Sequence, residues 1–231
     1  MALVLTEGII KHITKGGKAR IIQQFVKSPL IWGVHSSLSF DQSKGFENAR
    51  FARSRAGSGS HIMAYVHAEQ RGYIITEDNF ITVGNIEGAI EAFKNNEADI
   101  LLWEKFMTQP YVQSKKAKRV DECISPWPCF VLVGSEQFLN TNPKAILSLS
   151  DALILACETV MKRTDTVGNI AKRYNLKTEK VEQWYSTVEW QTSDWISAKM
   201  LQNVVNTLHR VGAIEAKLEP DSLCYNNVKL Y

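Results

Sequence analysis

Cysteine is scarce. The 231 residues hold four, Cys123, Cys129, Cys157 and Cys224, and no two form a C-x-x-C pair. A small secreted domain held by disulfides is far denser in cysteine, so we expect reduced thiols and a cytoplasmic setting. Long apolar runs are missing too. No window approaches the roughly 18 unbroken apolar residues of a membrane span. The opening Met1-Ala2-Leu3-Val4-Leu5-Thr6-Glu7-Gly8 has no basic segment, and its apolar run stops at Thr6, which argues against a secretory leader. No charge dominates: the net charge is +3. The densest basic stretch, Lys115, Lys116, Lys118 and Arg119, has no interleaved aromatics and reads as a solvated loop, so no nucleic-acid partner is expected. His61 and His67 fall on different helix faces, and Cys123 and Cys129 have the wrong spacing for structural zinc, so no metal site is expected. There is no G-x-S-x-G elbow or other recognised nucleophile motif. We therefore expect no catalytic residue and no cofactor.

What is present is an ordinary globular composition with 45% apolar residues, enough for one large domain or two small lobes. The patterning predicts a strand over 2–5, a helix over 7–13, and strands over 19–26 and 30–35 separated by a break at Ser28-Pro29. It continues with a strand over 51–55, a helix over 60–70, a strand over 80–83, a helix over 85–93, a strand over 98–103 and a helix over 104–112. A turn is expected at Pro126-Trp127-Pro128, then a strand over 129–133 and a helical tail. The tail includes helices over 146–161 and 166–174, one opened by Thr178, and one over 195–211 capped by Ser193 or Asp194 and ended by Gly212. This alternation predicts an α/β fold with a mainly parallel sheet.

Four segments fall in the order of a known family: Leu5-Thr6-Glu7-Gly8, Ser28-Pro29-Leu30-Ile31-Trp32-Gly33, Ser54-Arg55-Ala56-Gly57-Ser58-Gly59-Ser60-His61 and Leu101-Leu102-Trp103-Glu104. They resemble substrate-binding proteins of the type 2 periplasmic-binding fold, in particular the nitrate, sulfonate and taurine binders and the fungal thiamine-pyrimidine-synthase-like proteins. The resemblance implies two α/β lobes flanking a ligand cleft. It places chain crossings near 35–40 and 125–128, with lobe 1 formed by residues 1–40 plus 125–231 and lobe 2 by 41–124. Family members usually carry another strand-helix-strand unit before the Thr-Glu-Gly step. The resemblance therefore implies an incomplete first lobe, with residues 2–5 as a central strand lacking its usual neighbours.

Gly57-Ser58-Gly59-Ser60 leads into a helix, and helix N–H groups, close backbone approach at glycine and two hydroxyls suit an anion, with Arg55 as a nearby charge. A tight turn capped by Ser60 is the competing reading. Thr6 and Glu7 lie beyond a strand's carboxyl end, where open α/β sheets bind ligands; Glu7 is equally an acid placed for the helix dipole. Trp32, Trp103 and Trp127 offer flat walls or core packing. Glu104 follows Trp103, and Ser28 and His61 enter through the matched segments. The expected function is a non-catalytic module that binds a small polar or anionic solute. The rival is an enzyme like the thiamine-pyrimidine synthases, whose cysteine-rich cluster is reduced here to Cys129. A third reading is a shortened chain that binds nothing.

Overall fold

A computed structural model describes residues 1–226 and 228–231. In chain order the main elements are β1 (Ala2–Leu5), α1 (Thr6–Thr14), β2 (Ala19–Ser36), β3 (Phe51–Arg53), α2 (Gly59–Arg71), β4 (Phe80–Thr82), α3 (Ile86–Lys94), β5 (Ile100–Glu104), α4 (Gln109–Gln113) and β6 (Lys118–Ser135). The tail follows as α5 (Glu136–Thr141), α6 (Pro143–Lys162), α7 (Thr166–Tyr174), α8 (Thr178–Tyr185), β7 (Trp195–Ile196), α9 (Ala198–Arg210), α10 (Pro220–Leu223) and β8 (Lys229–Leu230). The chain divides into two compact units. Unit 1 holds Met1–Pro29, Pro126–His209 and Ile214–Tyr231; unit 2 holds Leu30–Ser125 and Arg210–Ala213. Residues 30–40, assigned to lobe 1 from the sequence, group with the second unit.

Two of the four boundaries fall inside the two longest strands, which run on where breaks were expected. Pro29 does not split β2, and Pro126-Trp127-Pro128 does not turn the chain, because β6 runs through it. Proline excludes its predecessor from the helical region and favours extended backbone, so it removes one ladder donor without ending a strand. Lys118 and Arg119, expected in a solvated loop, open β6.

In unit 1, β1 pairs antiparallel with β6, with Leu3 opposite Leu132 and Leu5 opposite Phe130. β1 stands at the edge of the sheet beside β6, the position expected of a strand that lacks its usual neighbours. Helix α1 buries Ile9, Ile10 and Ile13 at helical spacing. Ile22, Leu132, Leu139 and Ile146 form a core cluster flanked by Phe138, Leu153 and Tyr225. Helix α9 buries Leu201, Val204, Val205 and Leu208. It starts at Ala198, three residues later than expected, because Trp195 and Ile196 pair with β8 and the Ser197 hydroxyl accepts from Met200 N–H at 3.2 Å. Gly212 adopts φ 71° just beyond it.

In unit 2, β5 lies between β2, to which it is antiparallel, and β3, to which it is parallel; β3 also pairs parallel with β4. The pairing is therefore mixed, with β2 joining antiparallel to the parallel group of β5, β3 and β4. The return of β2 beside β5 breaks the simple alternation that local patterning implied. Helix α3 packs Ala89, Ala92 and Phe93 against Ala52 and Leu101. The helix expected over 104–112 shortens to α4. The buried His67 of α2 contacts Asp121 of β6 at 3.1 Å and Tyr73 Oη at 2.7 Å, and Arg71 grips the same carboxylate.

Candidate functional site

The glycine-serine segment of unit 2 is a compact, donor-rich turn. β3 ends at Arg53, and Ser54 N–H donates to Ser60 Oγ at 3.1 Å. Gly57 takes φ 74°, a region that L side chains avoid, and so redirects the chain into α2. The helix N-cap is Ser58, not Ser60 as the competing reading had it, and its carbonyl accepts from His61 and Ile62 N–H. The Ser58 hydroxyl does not close on the helix; it lies 3.0 Å from the Ser60 hydroxyl, and both serines are buried. The first-turn N–H groups of Gly59 and Ser60 have no acceptor within a helix.

His61 ties this turn to the rest of unit 2. Gly57 N–H donates to His61 Nδ1 at 2.8 Å, so Nδ1 is the unprotonated nitrogen. Nε2 faces Glu77 Oε1 at 2.9 Å, and Arg53 Nη1 reaches Glu77 Oε2 at 2.6 Å. Burial alone would raise the Glu77 carboxyl, but the Arg53 hydrogen bond and the positive field around it prevail and lower it. Arg55, the cation expected beside the turn, is exposed. Arg53 stands there instead, with its guanidinium 5.3 Å from the Phe80 ring centroid. Sequence reasoning missed Arg53 and Glu77. Arg53 lay within reach as the last residue of a strand entering the turn, whereas Glu77 carries no local signal.

Unit 1 holds a second group. Thr6 is buried and donates its hydroxyl to Pro128 O at 2.7 Å. Glu7 is 1% exposed; its Oε2 accepts from Trp127 Nε1 at 2.8 Å, and its Oε1 has no partner among the described residues. Burial pushes the carboxyl from 4.5 up to about 7, against the opposing pull of the Glu7 backbone N–H and the Trp127 donor. Glu7, Thr6 and Trp127 thus come together, as a buried polar constellation at the start of α1.

The remaining candidates separate. Trp32 sits opposite Glu104, and Gly33 opposite Trp103, across β2 and β5. Trp32 is buried with its Nε1 unpartnered, and Glu104 accepts from Met107 N–H at 2.6 Å, with burial raising its carboxyl. Trp103 packs on the α3 core cluster, so it and Glu104 do not point the same way. Ser28 accepts from Glu189 N–H at 3.1 Å and holds β2 to the segment after α8. His35, not singled out from the sequence, is 1% exposed. Burial and the Arg119 charge hold it down to about 4. Among the described residues, no three His, Cys, Asp or Glu side chains gather as a metal site would require. Among the described residues no helix is long and apolar enough to cross a membrane, and all four cysteines are buried.

Comparison with known proteins bears on this geometry. Residues 32–123 match the family model of the Ca3427-like PBP, or periplasmic binding protein. No curated protein matches. Among solved structures, the Candida albicans CA3427 gene product is 22% identical with a TM-score of 0.87, over 100% of this chain and 80% of that one. It is described as defining a new family with the generic periplasmic binding protein fold. The alkanesulfonate-binding protein SsuA of Xanthomonas axonopodis pv. citri, bound to MOPS, is 11% identical with a TM-score of 0.73, over 96% and 79%. A zinc-bound ligand-binding component of an ABC-type import system from Staphylococcus aureus is 12% identical with the same TM-score, over 97% and 77%.

Proposed function

Since the chain has the periplasmic-binding-protein fold, with a Ca3427-like stretch inside its second unit, we propose that it binds a small anionic solute without catalysis, at the Gly57–Ser60 turn. The observation that carries this reading is the buried pair of hydroxyls, Ser58 and Ser60, beside the first N–H groups of α2. These donors and the positive end of the helix suit a sulfonate, phosphate or carboxylate oxygen, each charge-assisted hydrogen bond contributing roughly 1.5–3 kcal/mol. The sulfonate ligand of the SsuA relative supports the class of solute. Thr6, Glu7 and Trp127 form the candidate contacts of unit 1, where the unpartnered Glu7 oxygen suits a hydrogen-bond donor.

A thermal-shift screen of small sulfonates, phosphates and carboxylates tests the proposal. A ligand at 100 times its dissociation constant stabilises the fold by about 2.7 kcal/mol. The ligand-induced shift should shrink in the Ser58→Ala, Ser60→Ala double variant. Because Ser58 is the N-cap, only the shift on adding ligand is informative, not the bare midpoint. An undiminished shift in the double variant would exclude the hydroxyls as contacts.

A further inference from the structure

Unit 2 carries an open cavity of about 610 Å³, lined by residues outside the two candidate site groups described above. Its apolar lining comes from Leu38, Ile90 and Phe93, and its rim carries Lys94, Lys115 and Lys116. A volume of this size suits a small molecule. Phe93 belongs to the α3 core, whereas Leu38 is half-exposed, so the apolar surface extends from the core outward.

The charge at this cavity is unbalanced. Glu91 is the one carboxylate in the lining, and it meets Lys94 at 3.5 Å as an exposed pair one helical turn apart. Among the described residues no carboxylate pairs with Lys115 or Lys116. Three ammonium groups against one carboxylate leave an excess of two positive charges. The C-termini of α3 and α4 also end here, each contributing about half a negative charge, so the field stays positive but is reduced.

The backbone holds the lysines in place. Asn96 and Lys115 take φ 56° and 55°, the left-handed conformation that follows a helix C-cap. Glu97 N–H then closes on Ala92 O at 2.8 Å, and Lys116 N–H on Tyr111 O at 2.9 Å. Asparagine tolerates that conformation, and lysine does so poorly. Glycine is the stabilising residue at such a position, so Lys115 stands there at a cost to the fold.

We propose that this cavity is a second binding site, for a small amphiphilic anion. The sulfonate or carboxylate head lies against Lys94, Lys115 and Lys116, and a short alkyl or aryl body covers Leu38, Ile90 and Phe93. The site is independent of the Gly57–Ser60 turn and stands or falls separately.

The test is an NMR titration of the full chain with hexane-1-sulfonate, read at the backbone amides of Leu38, Phe93 and Lys116. Hexan-1-ol and hexylammonium serve as neutral and cationic controls. The sulfonate should move these amides in a saturable way, and the two controls should bind more weakly. The Lys115→Gln, Lys116→Gln double variant should weaken the sulfonate by roughly threefold to tenfold, as expected for two exposed ion pairs. Lys115→Gly should melt higher than wild type and yet bind more weakly, a pair of opposite changes that a purely structural lysine would not produce. The Ser58→Ala, Ser60→Ala variant should leave the shifts at these amides intact. Silence at these amides, equal shifts from all three probes, or unchanged affinity in the double lysine variant would each overturn the proposal.

Discussion

Glu7 shows how one buried residue sets a pH dependence. In the unfolded chain its carboxyl titrates near 4.5, and in the fold it titrates near 7. Below the lower value it is neutral in both states and costs the fold nothing. As pH rises toward 7 the unfolded chain ionises while the fold resists, so stability falls; above 7 the loss is constant. Glu7→Gln keeps an oxygen for Trp127 Nε1 and removes the ionisation. The variant should be about 2–3 kcal/mol more stable than wild type near pH 8, and the gap should close near pH 4, in urea unfolding at the two pH values. Equal stability near pH 8 would show that Glu7 is better solvated than its burial indicates. The same substitution bears on function: if the Glu7 carboxylate receives a ligand donor, Gln should weaken that ligand while stabilising the fold.

At the scale of elements, strand β2 carries a close contact that a substitution can probe. A methyl group added at Gly33 would collide with the His35 imidazole and lie 3.1 Å from Arg119 Nε. The ring and the guanidinium therefore occupy the space that a side chain would take on that face of the strand. Gly33→Ala should destabilise the protein by about 1–3 kcal/mol, because the added methyl overlaps the buried His35 ring, which must shift. Chemical unfolding measures the cost, and a change below about 0.5 kcal/mol would mean that His35 relocates freely. Helix α3 is capped in a way that local sequence reveals: Asn85 Oδ1 accepts from Gly88 N–H at 2.8 Å.

For the molecule as a whole, the most conspicuous surface feature lies in unit 1. β1 is an edge strand with no charged residue, and Met1 and Leu3 are exposed. Helix α6 leaves Leu147, Leu149 and Leu155 exposed on a 20-residue helix whose buried residues are Ile146, Ser150 and Cys157. Uncharged edges and exposed leucines promote association. Leu155→Lys should reduce concentration-dependent light scattering and leave the thermal midpoint almost unchanged, since the side chain is 64% exposed in the fold. A marked drop in the midpoint would show that Leu155 is covered in solution.

The sequence by itself determined most of the helices, the α/β class, the glycine-serine turn and, through four short segments, the fold family. These are local properties: apolar periodicity, capping residues and glycine conformations act within a few residues. It did not determine the two long strands, because proline restricts its own neighbourhood without saying whether the chain on either side stays in one ladder. The mixed sheet was hidden for a related reason, since strand direction depends on which distant segment supplies the partner. The same limit applied to the sites. Thr6, Glu7 and Trp127 were each visible as candidates, but only tertiary structure joined the Glu7 carboxyl to an indole 120 residues away. Arg55 looked like the cation of the turn because it was adjacent in sequence. Folding exposed it and brought Arg53, His61 and Glu77 together, because β3 ends at Arg53 and the chain bends away before Arg55, while a neighbouring loop decides which carboxylate Arg53 meets.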